Sequence, residues 1–295
     1  MKDFTKFLII SSFLALWLNS FLTDEILNYI GFLLIFSFGI LHGSNDLYLI
    51  MKSKSNKRPF IKVFGYYVIV VALGVVMFSF KPAIALLIFI IISGYHFGEQ
   101  HLEFLNSENL RISEILLRLF YGLSILSLLF IFHIEEVQNI IYDLTQIEIN
   151  KTVFNSFFWI TLLMLCILCL IHLKTNPNFK KYVLHEITLF LIFSILFKSS
   201  SLIWGFSIYF ILWHSIPSVR DQMQFLYGSI NFENFKRYVK SAFLYWLVSV
   251  TGIVITLLFF QENQYFEAVF FSLLAAITFP HVWVILHMFK IKKAN

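Results

Sequence analysis

Four histidines stand in apolar surroundings with small or polar neighbours. They are His42 in Leu41-His42-Gly43-Ser44-Asn45-Asp46, His96 in Tyr95-His96-Phe97-Gly98-Glu99-Gln100-His101, His214 in Trp213-His214-Ser215-Ile216-Pro217-Ser218, and His281 directly after Pro280. Neutral imidazole suits Fe, Zn, Cu or Ni, and an all-nitrogen donor set keeps a net positive centre with positions open to an oxidant or a substrate. Asp46 follows His42 by four residues, on the same face if the helix continues. Glu99 follows His96 by three, and Asp221 lies near the third motif. Such groups orient metal ligands and set their tautomers. Gly43 and Gly98 allow close approach beside two of the histidines. Pro217 and Pro280 loosen the helix beside the other two and free backbone carbonyls that protein must satisfy. The alternative for each histidine is a simple hydrogen bond to a neighbouring helix.

The elements that must carry these residues are set by composition. Of 295 residues, 59% are hydrophobic and only 13% charged, with a mean hydropathy of +0.81, whereas a soluble domain carries roughly 25% charged residues. This excludes a soluble enzyme, a nucleic-acid-binding module, a disordered chain and a disulfide scaffold, and no nucleic acid is expected as a partner. Two cysteines cannot staple a chain of this length. Cys166 and Cys169 form C-x-x-C in mid-span, where a thiolate is disfavoured. The 37 Phe residues suit a slot for a conjugated ligand, but Ile, Asn and Lys are also plentiful, and a genomic bias produces the same count.

Apolar runs of bilayer-crossing length, about 20 residues each, recur at 4–22, 26–50, 60–80, 82–99, 112–134, 153–173, 183–198, 200–218, 239–261 and 266–289. The expected fold is therefore all-α: a polytopic membrane bundle of about ten helices, forming one domain over residues 1–295. With the N-terminus inside, every Lys and Arg except Lys81, Lys151 and Lys198 falls on the cytoplasmic side, Arg111 and Arg118 included, and Asp24-Glu25, Glu135-Glu136 and Glu262 fall outside. This places both termini in the cytoplasm. The first run is read as a retained helix rather than a cleaved signal, because no small-x-small site follows Leu22. In this topology all four histidines lie in the second half of an outside-to-inside helix. They form one layer near the cytoplasmic face, where imidazoles from distant helices can converge on one ion. His172, His185 and His287 lie at inner helix ends and His133 lies on the outer side, away from this layer.

H-G-x-x-D at His42 to Asp46, H-F-G at His96 to Gly98, H-S at His214 and Ser215, and P-H at Pro280 and His281, in this order over ten helices, resemble the Brp/Blh family of bacterial β-carotene 15,15'-dioxygenases from about residue 30 to 290. The resemblance implies an integral enzyme of the bacterial cytoplasmic (inner) membrane. With Fe(2+) and O2 such an enzyme splits β-carotene at its central double bond into two all-trans-retinal, which serve a microbial rhodopsin. The family's ligands carry over onto His42, His96 and His214. The family's second eighth-helix histidine corresponds here to Ser218, and the acid expected after H-F-G corresponds to His101. His281, at the depth of the other three, is the expected fourth ligand, with His101 as the alternative. Asp46 and Glu99 are expected to support the ligands, and Phe97 and Trp213 to wall a slot for the polyene, which enters from the surrounding lipid.

Three other readings fit the same residues. One is an oxygenase for another carotenoid or isoprenoid. Another is a transporter in which the histidines relay protons, although the outer helix halves are nearly uniformly apolar. The third is a non-catalytic assembly factor or degenerate paralogue.

Overall fold

The computed structural model describes residues 2–52, 59–105, 111–259 and 266–294. The basic loop 53–58 and Glu262 lie outside the described residues. The secondary structure among the described residues is helical, without strands. In chain order the helices are α1 (Lys2–Trp17), α2 (Asp24–Lys52), α3 (Phe60–Phe80), α4 (Pro82–His101), α5 (Ile112–Phe132), α6 (Ile134–Thr145), α7 (Lys151–Thr175), α8 (Pro177–Lys198), α9 (Leu202–Tyr227), α10 (Phe232–Phe259) and α11 (Phe266–Ala294). Their starts follow local chemistry. Asn150, Asn176 and Ser201 each accept a backbone N–H of the following turn, and Pro177 occupies the first position of α8, where its missing N–H has no helical partner to lose.

Among the described residues, eight helices are long and apolar enough to cross a membrane: α2, α3, α4, α5, α7, α9, α10 and α11. The protein is an integral membrane protein. Many large apolar side chains on these helices face outward, among them Ile69 and Leu73 on α3 and Ile160 and Leu163 on α7, an exposure that lipid rather than water accommodates. The other two expected spans are also helical. At 16 residues α1 is short, and α8 carries Lys180, Lys181, Glu186 and Lys198 within its 22 residues. Helix α6, whose first turn holds Glu135 and Glu136 of the expected outer side, buries Val137 and Ile141.

The chain divides into two compact units of interleaved segments: residues 1–35, 93–138 and 149–215 in the first, and 36–92, 139–148 and 216–295 in the second. In the first unit α5 packs along α7, and α4 crosses α5 at Gly94, Gly98 and Gly122. In the second unit α3 packs along α11, with Gly74 against Ala276.

Candidate metal centre

Helix α2 departs from α-helical geometry just before its histidine, which belongs to the second unit. Residues Ile35–Gly39 form a π turn, which displaces backbone carbonyls from the regular ladder. The indole N–H of Trp246 donates to the carbonyls of Phe36 and Ser37, at 3.0 Å each. One α-turn, Ile40–Gly43, carries His42. The helix breaks at Ser44 and Asn45 and resumes at Asp46. The ring of His42 donates from Nδ1 to the carbonyl of Gly39.

Its partner ring is His281 of α11, edge-to-face at 4.7 Å between centroids and 88° between planes. His281 Nδ1 lies 2.8 Å from Asp46 Oδ1, and the other oxygen of Asp46 accepts from the Tyr67 hydroxyl at 2.9 Å. Asp46 thus supports the histidine of another helix, reached by a turn rather than by the helical spacing first expected. Gly43 faces this ring. An added Cβ there would lie 3.5 Å from His281 Nδ1, an ordinary contact.

The first unit holds a second pair. His96 of α4 and His214 of α9 lie edge-to-face, 4.8 Å apart at 80°. His214 belongs to a π stretch, Tyr209–Ser215, which ends two residues before Pro217, a residue with no N–H for the ladder. Gln100 reads His214 twice. Its Oε1 accepts from Nδ1 at 2.5 Å, and its Nε2 donates to the His214 carbonyl at 2.9 Å. The ring of Phe97 packs on His214 at 4.8 Å.

All four histidines are 5% exposed or less. In three of them Nδ1 faces an oxygen acceptor, which fixes the proton there and presents the lone pair of Nε2, the usual arrangement of a metal-bound imidazole. The ring spacing fits as well. With a metal–nitrogen bond of about 2.1 Å, two imidazoles bound at roughly 90–110° place their ring centres about 4.5–5.2 Å apart, and both pairs fall in that range. The donor set present therefore suits a metal ion.

The remaining expected residues have other surroundings. Glu99 is ion-paired with Arg118 at 3.0 Å, both side chains buried. Arg118, expected on the cytoplasmic side within the run 112–134, is fully buried on α5. Six residues into the span, its long side chain turns inward to that carboxylate. His101, the last residue of α4, also has its side chain inside the protein. It stacks on Tyr209 at 8°, with Glu186 3.8 Å from its Nδ1 and Tyr121 donating to Glu186 at 2.7 Å. Ser218 is buried and accepts from Gln222 at 3.1 Å. Trp213 donates to Ser12 at 2.9 Å, with its ring against Phe193. Cys166 is exposed and Cys169 half-buried, both as free thiols.

The sequence reading missed Tyr67, Gln100, Gln222 and Tyr238. The two glutamines did carry a signal, since a carboxamide among apolar residues must find a partner. Nothing local indicates which partner.

A family model described as "BCD: Beta-carotene 15,15'-dioxygenase" matches residues 33–289. No curated protein and no solved structure matches the chain.

Proposed function

The chain belongs to the β-carotene 15,15'-dioxygenase family, and on that premise we propose that it cleaves β-carotene with O2 at the 15,15' double bond, at one iron ion held by His42, His96, His214 and His281. Cleavage of that bond puts one oxygen atom on each half, so O2 balances the formation of two all-trans-retinal with no further oxidant. The observation that carries the iron reading is the presence of two buried imidazole pairs at the spacing of shared ligation, with Nδ1 engaged in three of the rings. Bound there, iron(II) would supply the one-electron chemistry that lets O2 react with an alkene, which zinc cannot do.

The protein's own residues then have separate tasks. Asp46 holds the proton of His281 on Nδ1 and raises the basicity of the ring, with Tyr67 fixing the carboxylate. Gln100 does the same for His214 without adding charge. The burial of all four rings excludes bulk water from the reacting centre. A polyene offers no polar handle, so the choice of one double bond rests on shape and position, with Phe97 beside His214 as a wall and Trp213 as a second. His281 is preferred over His101 as the fourth ligand because its Nδ1 is within hydrogen-bond distance of a carboxylate, 2.8 Å from Asp46, whereas the nearest carboxylate to His101 Nδ1 lies 3.8 Å away and its ring is stacked within an aromatic cluster. The enzyme resides in the bacterial cytoplasmic membrane, takes its substrate from the lipid, and releases retinal for a microbial rhodopsin.

Expression in a carotene-making host tests the reading. Retinal accompanied by loss of orange colour is expected. Unchanged pigment, or shortened apocarotenoids in place of retinal, would overturn it.

A further inference from the structure

Each unit contains one histidine at a departure from regular helix, and in each unit a glutamine from another helix donates to that histidine's own backbone carbonyl. In the second unit Gln222 Nε2 lies 2.8 Å from the His42 carbonyl, just before the break at Ser44 and Asn45. In the first, Gln100 Nε2 lies 2.9 Å from the His214 carbonyl, within the π stretch. We propose that Gln100 and Gln222 are positioning residues that set the metal-binding conformation of His214 and His42 before any ion arrives. The proposal rests on the reading of these histidines as metal ligands.

The geometry leaves each carboxamide one orientation. For Gln100, the Oε1 contact with His214 Nδ1 and the Nε2 contact with the His214 carbonyl are both favourable only as assigned. Turning the amide over would set oxygen against oxygen and require the imidazole to move its proton to Nε2, the atom that must bind metal. For Gln222, Oε1 accepts from the Tyr238 hydroxyl at 2.8 Å, so Nε2 must face His42 and Ser218. Tyr238 also approaches the His42 carbonyl, at 3.2 Å, and its own carbonyl accepts from Asn45 at 3.0 Å. The broken turn is therefore held from α9 and α10 together.

A helix interior normally satisfies its carbonyls through its own ladder. Departing from that ladder in an apolar interior is costly unless another group supplies the bond, and an irregular backbone with no such donor would drift among conformations. The glutamines remove that freedom at the two residues whose rings must be aimed. They do so without bringing charge to the centre. Ser218 takes part by accepting from Gln222, a role that a hydroxyl fills and a bulkier side chain would disturb.

The test uses the full chain in detergent, with Gln100→Leu, Gln222→Leu and the near-isosteric Gln100→Glu, which keeps the acceptor for Nδ1 and loses the donor. Iron(II) affinity is measured by equilibrium dialysis, cobalt(II) replaces iron as a spectroscopic probe of ligand geometry, and thermal unfolding is followed without metal. The leucine variants are expected to bind iron(II) about 10–100-fold more weakly, with an altered cobalt spectrum. Gln100→Glu, which keeps an acceptor for Nδ1, is expected to bind iron(II) more tightly than Gln100→Leu. Unchanged affinity and spectrum in the leucine variants would overturn the proposal, as would a loss of affinity matched by unfolding of the metal-free protein in all three variants. If the unaltered protein takes up no iron(II) or cobalt(II), the metal reading itself fails and the proposal falls with it, an outcome distinct from weakened binding in the variants alone.

Discussion

Replacing Gly98 with alanine should disable the enzyme through the backbone of α5, with no direct contact to a histidine. A Cβ at this position would sit 1.7 Å from the Arg118 carbonyl oxygen and 2.6 Å from its carbon. These are backbone atoms that cannot swing aside, so α4 and α5 must part by about 1.5 Å to restore ordinary contact. The crossing is equally tight from the other side, where a Cβ on Gly122 would meet the Gly94 carbonyl oxygen at 1.9 Å. Overpacking against backbone should destabilise the fold by about 3 kcal/mol or more. The displaced segment carries His96 two residues before Gly98 and Gln100 two residues after. A misplacement of about 1 Å at a reacting centre lowers rate about 100-fold. Gly65→Ala is the internal control, because nothing lies within 4 Å of its added Cβ and removal of a helical glycine stabilises by about 0.5–1 kcal/mol. Thermal unfolding in detergent and retinal yield from supplied β-carotene read both variants. Equal behaviour of Gly98→Ala and Gly65→Ala would refute the close crossing and the reasoning built on it.

Asp46→Asn keeps an acceptor toward His281 but exchanges a charge-assisted bond for a neutral one, so iron affinity should fall about 5–10-fold, a loss of about 1–1.4 kcal/mol. Asp46→Ala removes the acceptor of both His281 and Tyr67 and should fall further, to about 100-fold; dialysis against iron(II) orders the two variants, and equal affinities would contradict the assigned bonds. Arg118→Ala leaves the Glu99 carboxylate buried without its guanidinium and should destabilise by about 3–5 kcal/mol. The double variant Arg118→Met with Glu99→Met should unfold at a higher temperature than Arg118→Ala, and the reverse order in a melting experiment would show that the pair is not coupled.

The helices are legible in the sequence because membrane spans announce themselves by apolar length. The expected run 60–80 coincides with α3 and 112–134 nearly with α5. The histidines are legible for a related reason: an imidazole among apolar residues stands out wherever it falls. What joins them is harder to read, because the partners come from remote parts of the chain. Asp46 was visible four residues from His42, yet its bond is to His281, on the last helix. The spacing rule that linked it to His42 assumes an unbroken helix, and α2 breaks at Ser44 and Asn45. The burial of Arg118 was not legible, because counting cations by side of the membrane says nothing of the buried carboxylate that this side chain meets. The π turns at Ile35–Gly39 and Tyr209–Ser215 have no sequence signature of their own. Pro217 hinted at the second, and nothing hinted at the first.

Under the proposed function this chain, loaded with iron, divides β-carotene symmetrically. Purified protein reconstituted with iron(II) and given β-carotene under a measured supply of O2 tests it most directly. Two molecules of retinal are expected for each β-carotene and each O2 consumed, with no product from His214→Ala or from protein stripped of metal by a chelator. Aldehydes of unequal length, or retinal formed equally well without the metal, would contradict it.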